Sequence, residues 1–258
     1  MVAARKLLRR AGRDRAGRFL VEGAQAVREA LATVTVHELF VTATAADRHP
    51  ELVATARGGW VRISPVTDRA AETLSDTVTP QGLIAVCDLL DVPVPAALAG
   101  PPALVAVLVG VADPGNAGTV IRVADAAGAG AVLLAGDTVD PHNGKAVRAS
   151  TGSVFHLPLA RDRDAAAVLD ACRLAGLTLL AADGRGELDL HHPDMPAILA
   201  RPTAWVFGGE AHGLPQELAA AADHRVRVPI HGRAESLNLA TAAAVCLYAS
   251  AQHRSRVG

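Results

Sequence analysis

From Ala103 onward the chain alternates short apolar runs with stretches of helical period, and no other feature restricts its fold as tightly. Candidate strands are Ala103–Val109, Ala131–Leu134, Val154–Leu157, Leu177–Ala182, Ala204–Phe207 and Arg225–Val228. Helical stretches fall between or after them at Gly118–Ala127, Asp164–Leu174, Pro215–Ala222 and Asn238–Gln252. Short, nearly continuous apolar strands separated by helices predict a mostly parallel sheet covered on both faces. Hydrophobic residues make up 50% of the sequence and aromatic residues only 3%, so small aliphatic side chains must build the core. Ligands of such sheets bind beyond the carboxyl ends of the strands, which places the functional residues in the loops that follow them.

The stretch Asp91–Pro102 (DVPVPAALAGPP) carries four prolines and a glycine and reads as a linker. The expected organisation is an N-terminal domain over 1–90, a linker over 91–102 and a larger domain over 103–258. The N-terminal part is a small α/β domain. Helices are expected at Val21–Ala32, Asp47–Arg57 and Thr67–Leu74, and strands at His37–Thr42, Trp60–Ile63 and Leu83–Cys87. There is no internal repeat.

The net charge of −1 announces no nucleic-acid partner, but its distribution is uneven. Arg5, Lys6, Arg9, Arg10, Arg13, Arg15 and Arg18 face one acid, Asp14, within the first eighteen residues. Such an arm suits a phosphate backbone, or else serves as a solubilising terminus. The scarcity of aromatics argues against an RNA-binding surface built on base stacking, which needs exposed Phe, Tyr or Trp. Cys87, Cys172 and Cys246 stand far apart in apolar runs, with no CxxC and no zinc spacing, so the plain expectation is buried reduced thiols and no metal. No apolar run reaches membrane-spanning length and no signal core follows the basic start, so the chain reads as soluble and cytoplasmic.

Three post-strand loops hold the polar residues that structure alone explains least well. The first, Asp113–Arg122 (DPGNAGTVIR), makes a tight turn into a helix, with Arg122 expected one turn inside it. The second, Phe207–Pro215 (FGGEAHGLP), has three glycines around Glu210 and lets backbone approach a ligand closely. The third, Val228–Asn238 (VPIHGRAESLN), leads into the last helix and offers Ser236 or Asn238 as an N-cap. A GxGxxG or phosphate-binding loop after the first strand would point to a nucleotide-dependent small-molecule enzyme, and neither is present.

Taken in this order at these strand ends, the loops resemble the three motifs of SpoU-type RNA 2′-O-ribose methyltransferases, the TrmH-like members of the SPOUT superfamily. The likeness spans essentially the whole chain. FLVEGAQAVREAL (Phe19–Leu31) and TVTPQGLIAV (Thr77–Val86) resemble that family's substrate-binding domain, a fold shared with some ribosomal proteins. KAVRASTGSVFHLP (Lys145–Pro158) resembles its middle region. The resemblance implies an α/β fold whose C-terminal parallel-sheet domain carries a deep trefoil knot, a rare topology that composition could not suggest. It also implies a homodimer whose active site is completed across the interface.

Carried over by motif, it implies S-adenosylmethionine held by Ala182, Gly208, Gly209, Val228, Ile230, Leu237 and Leu239. The implied catalytic set is Asn116, Arg122, Glu210, Ser236 and Asn238, with all five positions filled. Methyl transfer to an alcohol needs oxygen, carbon and sulfur in line and a fate for the hydroxyl proton. Arg122, whose guanidinium stays charged, is expected to bind the target phosphate and to stabilise developing alkoxide charge. Asn116, Ser236 and Asn238 would orient the ribose and order the loops, and Glu210 would anchor the network or the partner subunit. RNA contact is expected from Arg5, Arg9, Arg10, Arg13 and Arg122. His142, His156, His212 and His231 lie in or near the loops without a family role. The expected substrate is large-subunit ribosomal RNA in preference to transfer RNA, as a housekeeping or an antibiotic-resistance modification. The alternative is a non-catalytic RNA-binding protein that retains the fold.

Overall fold

A computed structural model describes residues 1–77 and 79–254. Val78, within the Thr77–Val86 segment, and residues 255–258 lie outside the described residues. The chain packs as two compact units. One comprises Met1–Leu90 together with Asp140–His156, and the other Asp91–Val139 together with the chain from Leu157. The stretch 91–102 is therefore more than a linker. Val94–Ala97 is a helix with proline in its first turn, where a missing N–H costs nothing, and Val94, Ala97 and Leu98 are buried in the second unit's core. Asp140–His156, expected within 103–258, instead packs with the first unit.

In the first unit, β1 (Arg18–Glu22), β2 (Val36–Val41), β3 (Arg62–Pro65) and β4 (Leu83–Asp88) form a sheet in the order β1-β4-β2-β3. β4 runs antiparallel to β1 and β2, and β3 is parallel to β2. The helix expected over Val21–Ala32 is divided. Val21 and Glu22 complete β1, Gly23 turns the chain at φ 97°, and the helix runs Ala24–Thr33 with Ala26, Val27 and Ala30 buried. Pro50 likewise splits the expected Asp47–Arg57 helix into Ala43–Arg48 and Pro50–Gly58.

The basic arm is folded. It forms helices Val2–Lys6 and Arg10–Ala16, and Ala4 and Leu7 pack with Leu20, Phe40, Leu74 and Ile84. Arg13, expected to contact RNA, is 3% exposed. Its Nε donates to Asp140 Oδ2 at 2.8 Å, and one terminal nitrogen donates to the carbonyls of Leu7 and Leu8. Asp140 also accepts from the His142 backbone N–H and faces its Nδ1 at 3.2 Å, while His142 Nε2 accepts from Leu90 N–H. Burial opposes the Asp140 charge, but the His142 hydrogen bond and the Arg13 guanidinium hold its carboxyl far below the ordinary range. Arg13 is thus consumed by the fold and is withdrawn from the RNA-binding set.

In the second unit, seven parallel strands take the order β7-β6-β5-β10-β8-β11-β9. They are β5 (Leu104–Val109), β6 (Ala131–Ala135), β7 (Leu159–Asp162), β8 (Thr178–Ala182), β9 (Leu188–Asp189), β10 (Thr203–Gly208) and β11 (His224–Arg227). Every residue of the central strands β5 and β10 is buried. Such two-sided burial is why these strands read as unbroken apolar runs. Trp205 on β10 donates its indole N–H to Ser250 Oγ on the last helix, Leu239–Arg254, at 2.8 Å.

The strand expected at Val154–Leu157 is a 3-10 turn over Ser153–Phe155, and the strand comes later as β7. Gly152, at φ 99°, and Pro158 bracket that turn, and Phe155 packs near Phe19 in the first unit rather than in the sheet. β9 was not anticipated. The three cysteines are buried, and burial pushes each thiol up to about 12. No helix among the described residues is long and apolar enough to cross a membrane.

Removing one partner of a buried ion pair strands the other charge, a loss of about 3–5 kcal/mol. Arg13→Ala should therefore cost about that much in denaturant unfolding of the first unit, while Arg5→Ala and Arg9→Ala should stay within about 0.5 kcal/mol. Equal small effects at all three positions would contradict the buried role of Arg13.

Candidate functional site

From β5 the chain winds outward through β6 and β7, then returns to fill the other side with β8, β10 and β11. The strand order thus reverses between β5 and β10, where an open α/β sheet leaves a crevice at its carboxyl edge. The first polar loop leaves β5, the second leaves β10, and the third follows β11.

The first loop is already helical. Its helix spans Pro114–Ala126, beginning four residues before the expected Gly118, because Asp113 caps it by accepting the Asn116 N–H at 3.1 Å and Pro114 fits the first turn. Arg122 is consequently two turns inside the helix rather than one, and is exposed. In the second loop, a Cβ on Gly208 would lie 2.1 Å from the Gly213 carbonyl carbon, and one on Gly209 would lie 2.4 Å from the Gly110 carbonyl oxygen. These glycines serve close approach of backbone to backbone, beyond any approach to a ligand.

Glu210 joins the loops. Its carboxylate accepts the N–H groups of Ala112 (3.1 Å) and Asp113 (3.3 Å) and the Asn116 side-chain amide (2.8 Å). Asn116 Oδ1 accepts from Asn238 Nδ2 at 3.1 Å, and Asn238 Oδ1 caps the last helix at the N–H groups of Ala240 and Thr241. A carboxylate can only accept and a helix N-terminus can only donate, so the two ends of this relay fix both amide orientations. Burial alone would raise the pKa of Glu210. The Asn116 amide and the backbone N–H groups outweigh it and hold the carboxyl below its ordinary 4.5.

Beside this relay is a pocket of about 300 Å³. All seven residues expected to hold a cofactor line it: Ala182, Gly208, Gly209, Val228, Ile230, Leu237 and Leu239. Glu210 and Ser236 line it as well. Ile230 and Leu237 are large apolar side chains left more than a third exposed. Asn116 and Asn238 do not line the pocket but are hydrogen-bonded in series to Glu210, which does, and Arg122 is outside its lining, on the helix that Asn116 helps to start. His212 and His231 are exposed and do not line it.

The sequence reading missed Asp183 and Glu235, two acids in the pocket wall. Asp183 directly follows β8, so the strand-end rule applied to that strand would have found it. Among the described residues no group of His, Cys, Asp or Glu is arranged to hold a metal ion.

Residues 103–248 match the profile of the SpoU rRNA Methylase family, and residues 3–85 that of the MRM3-like substrate binding domain. A 23S rRNA (guanosine(2553)-2′-O)-methyltransferase of Bacillus subtilis is 33% identical over 245 residues, covering 95% of this chain and 92% of that protein. The AdoMet-bound rRNA methyltransferase of Sinorhizobium meliloti superposes with a TM-score of 0.82 at 30% identity, over 98% of this chain and 94% of that one. The SpoU methyltransferase AviRb of Streptomyces viridochromogenes, in complex with AdoMet, gives 0.83 at 29% identity, over 98% and 97%.

Adding a methyl group where backbone already touches backbone costs about 1–3 kcal/mol. Gly209→Ala should lose that much in denaturant unfolding. Gly232→Ala, whose Cβ would meet nothing within 4 Å, should stay within about 0.5 kcal/mol. Equal losses would refute the tight crossing at Gly209.

Proposed function

This chain belongs to the SpoU rRNA methylase family, and we propose that it uses S-adenosylmethionine to methylate a ribose 2′-hydroxyl of large-subunit ribosomal RNA. The observation that carries this reading is one pocket walled by the chain after β8, β10 and β11, with the loop after β5 tied to its edge by the relay Glu210–Asn116–Asn238.

The pocket fits the cofactor in size and character. Its volume lies at the lower end of small-molecule sites, and its walls from Ala182, Val228, Ile230, Leu237 and Leu239 are apolar. Asp183, Glu210 and Glu235 add negative charge, which suits a cationic ligand. The cofactor supplies an electrophilic methyl group to this site when bound.

The chain's own residues do the rest. Arg122, exposed and cationic, is assigned to the phosphate of the target nucleotide, where it also stabilises negative charge on the ribose oxygen as the hydroxyl proton passes to solvent water. Ser236, at the pocket wall, can hydrogen-bond the ribose. Glu210, Asn116 and Asn238 act as positioning residues, since their hydrogen bonds run to backbone and to one another.

The first unit is taken to hold the RNA, in keeping with its match to a substrate binding domain. Arg5, Arg9 and Arg10 of the folded arm are exposed, and Arg5, Lys6, Arg9 and Arg15 line a groove of about 600 Å³ that no acid lines. Two further features belong to the same proposal. One is a C-terminal trefoil knot, which rests on membership of the family. The last helix leaves Val245 and Tyr248 exposed on a largely apolar element, which supports a homodimer. Buried free thiols suit a reducing compartment, and the cytoplasm is the proposed location.

Methyl-tritiated S-adenosylmethionine incubated with unmodified ribosomal and transfer RNA should label ribosomal RNA in a dinucleotide that resists alkali. Arg122→Ala should lower the rate at least about 100-fold, as removal of a charge-stabilising donor does elsewhere. Changing Arg5, Arg9 and Arg10 together to Ala should flatten the salt dependence of RNA binding. Tyr248→Asp should shift the sedimenting species from dimer to monomer. Cofactor binding without transfer to either RNA would redirect the search to another acceptor. Absence of cofactor binding would leave the RNA-binding alternative in its place.

A further inference from the structure

The protein has two tryptophans, and they differ completely. Trp205 is fully buried, whereas Trp60 is 95% exposed. Trp60 also has a backbone φ of 58°, one of two positive values at non-glycine positions among the described residues, the other being Thr151.

The local geometry accounts for the φ but not for the side chain. The helix Pro50–Gly58 ends with the Trp60 N–H bonded to the Arg57 carbonyl at 3.1 Å and the Val61 N–H bonded to the Ala56 carbonyl at 2.9 Å. This is a Schellman ending, and Trp60 holds its left-handed position, where glycine is the usual residue. Gly58 and Gly59 immediately precede it. A bulky aromatic here is strained and, at this exposure, adds no core packing. Strain held at an exposed residue marks a candidate functional position.

Its surroundings indicate the partner. Arg57 is exposed, and the Arg62 side chain is 77% exposed, with its Nε 3.6 Å from Glu38 Oε1. An exposed ring between two cations in sequence suits a nucleic-acid strand, with a base on the ring face and phosphates on the arginines. All three residues fall in the segment that matches a substrate binding domain.

We infer that Trp60 is a stacking platform for one unpaired base of the RNA, with Arg57 and Arg62 neutralising the adjoining phosphates. The inference rests on the reading of this protein as an RNA methyltransferase. It also narrows what the low aromatic content excludes, since one ring suffices for one base.

The test uses the whole protein and titrates a short single-stranded oligouridylate, then a duplex of the same length. Trp60 fluorescence should be quenched by the single strand and little affected by the duplex, with Trp205 as the silent background. Trp60→Gly should weaken single-strand binding about five- to tenfold, from the range seen for lost base stacking. Trp60→Phe should keep most of the affinity. Trp60→Gly should also unfold no more easily than wild type, because glycine relieves the strained position, so a weaker complex could not be blamed on a weaker fold.

Unchanged affinity in Trp60→Gly would overturn the inference, and so would a change of oligomeric state with RNA affinity intact. If wild type transfers methyl groups to RNA and Trp60→Gly does so with the same KM, only the stacking role fails. If wild type binds no RNA, the parent reading fails and takes this one with it.

Discussion

The Glu210 carboxylate is the interaction on which the site depends. It draws together the turn after β5 and the start of the helix that follows, and through Asn116 and Asn238 it reaches the start of the last helix. Three loops that are far apart in sequence share one set of hydrogen bonds whose polarity allows a single arrangement. The pocket beside them is a consequence, because its walls are the residues that flank these contacts on β8, β10 and the chain after β11. An acid among three glycines is poorly explained as a turn, and well explained as the acceptor that organises its neighbours.

The glycines belong to the same construction. Gly209 lets the loop after β10 lie against the carbonyl of Gly110, and Gly208 lets that loop return on itself at Gly213 and Leu214. Without these approaches Glu210 could not reach the N–H groups of Ala112 and Asp113. Close packing of backbone and the hydrogen-bond relay are two aspects of one constraint on how β5 and β10 end.

The parallel sheet was legible in the sequence because β5, β6, β8 and β10 are buried on both faces and therefore read as apolar runs. Of the seven residues expected at the cofactor, Gly208, Gly209, Val228, Ile230 and Leu237 lie in the second and third motifs, while Ala182 and Leu239 came only from the family resemblance; all seven line one cavity, yet Asp183, next to Ala182, was not named. Arg13 was misread because charge counting along an arm cannot register Asp140, 127 residues away. The segment Asp140–His156 was misplaced for a related reason, since continuity in sequence does not require continuity in packing. Val21 was given to a helix because it fits either period, and Gly23 decided the matter through its backbone angle. Trp60 shows the opposite limit, because an apolar residue read as the start of a strand lies before it, in solvent.

A double-mutant cycle on cofactor binding, read by calorimetry, tests the relay most directly. Glu210→Ala removes the carboxylate. Asn238→Ser keeps a capping hydroxyl for the last helix but is too short to bond Asn116. Asn238 does not line the pocket, and the capping hydroxyl of the Ser variant keeps the start of the last helix, so in this account the remaining influence passes through Asn116 to Glu210. The account predicts that the double variant loses little more affinity than Glu210→Ala alone, with a coupling of about 0.5–3 kcal/mol between the two positions. Losses that simply add would mean that the loops are held independently, and would contradict the relay as the organising interaction of the site.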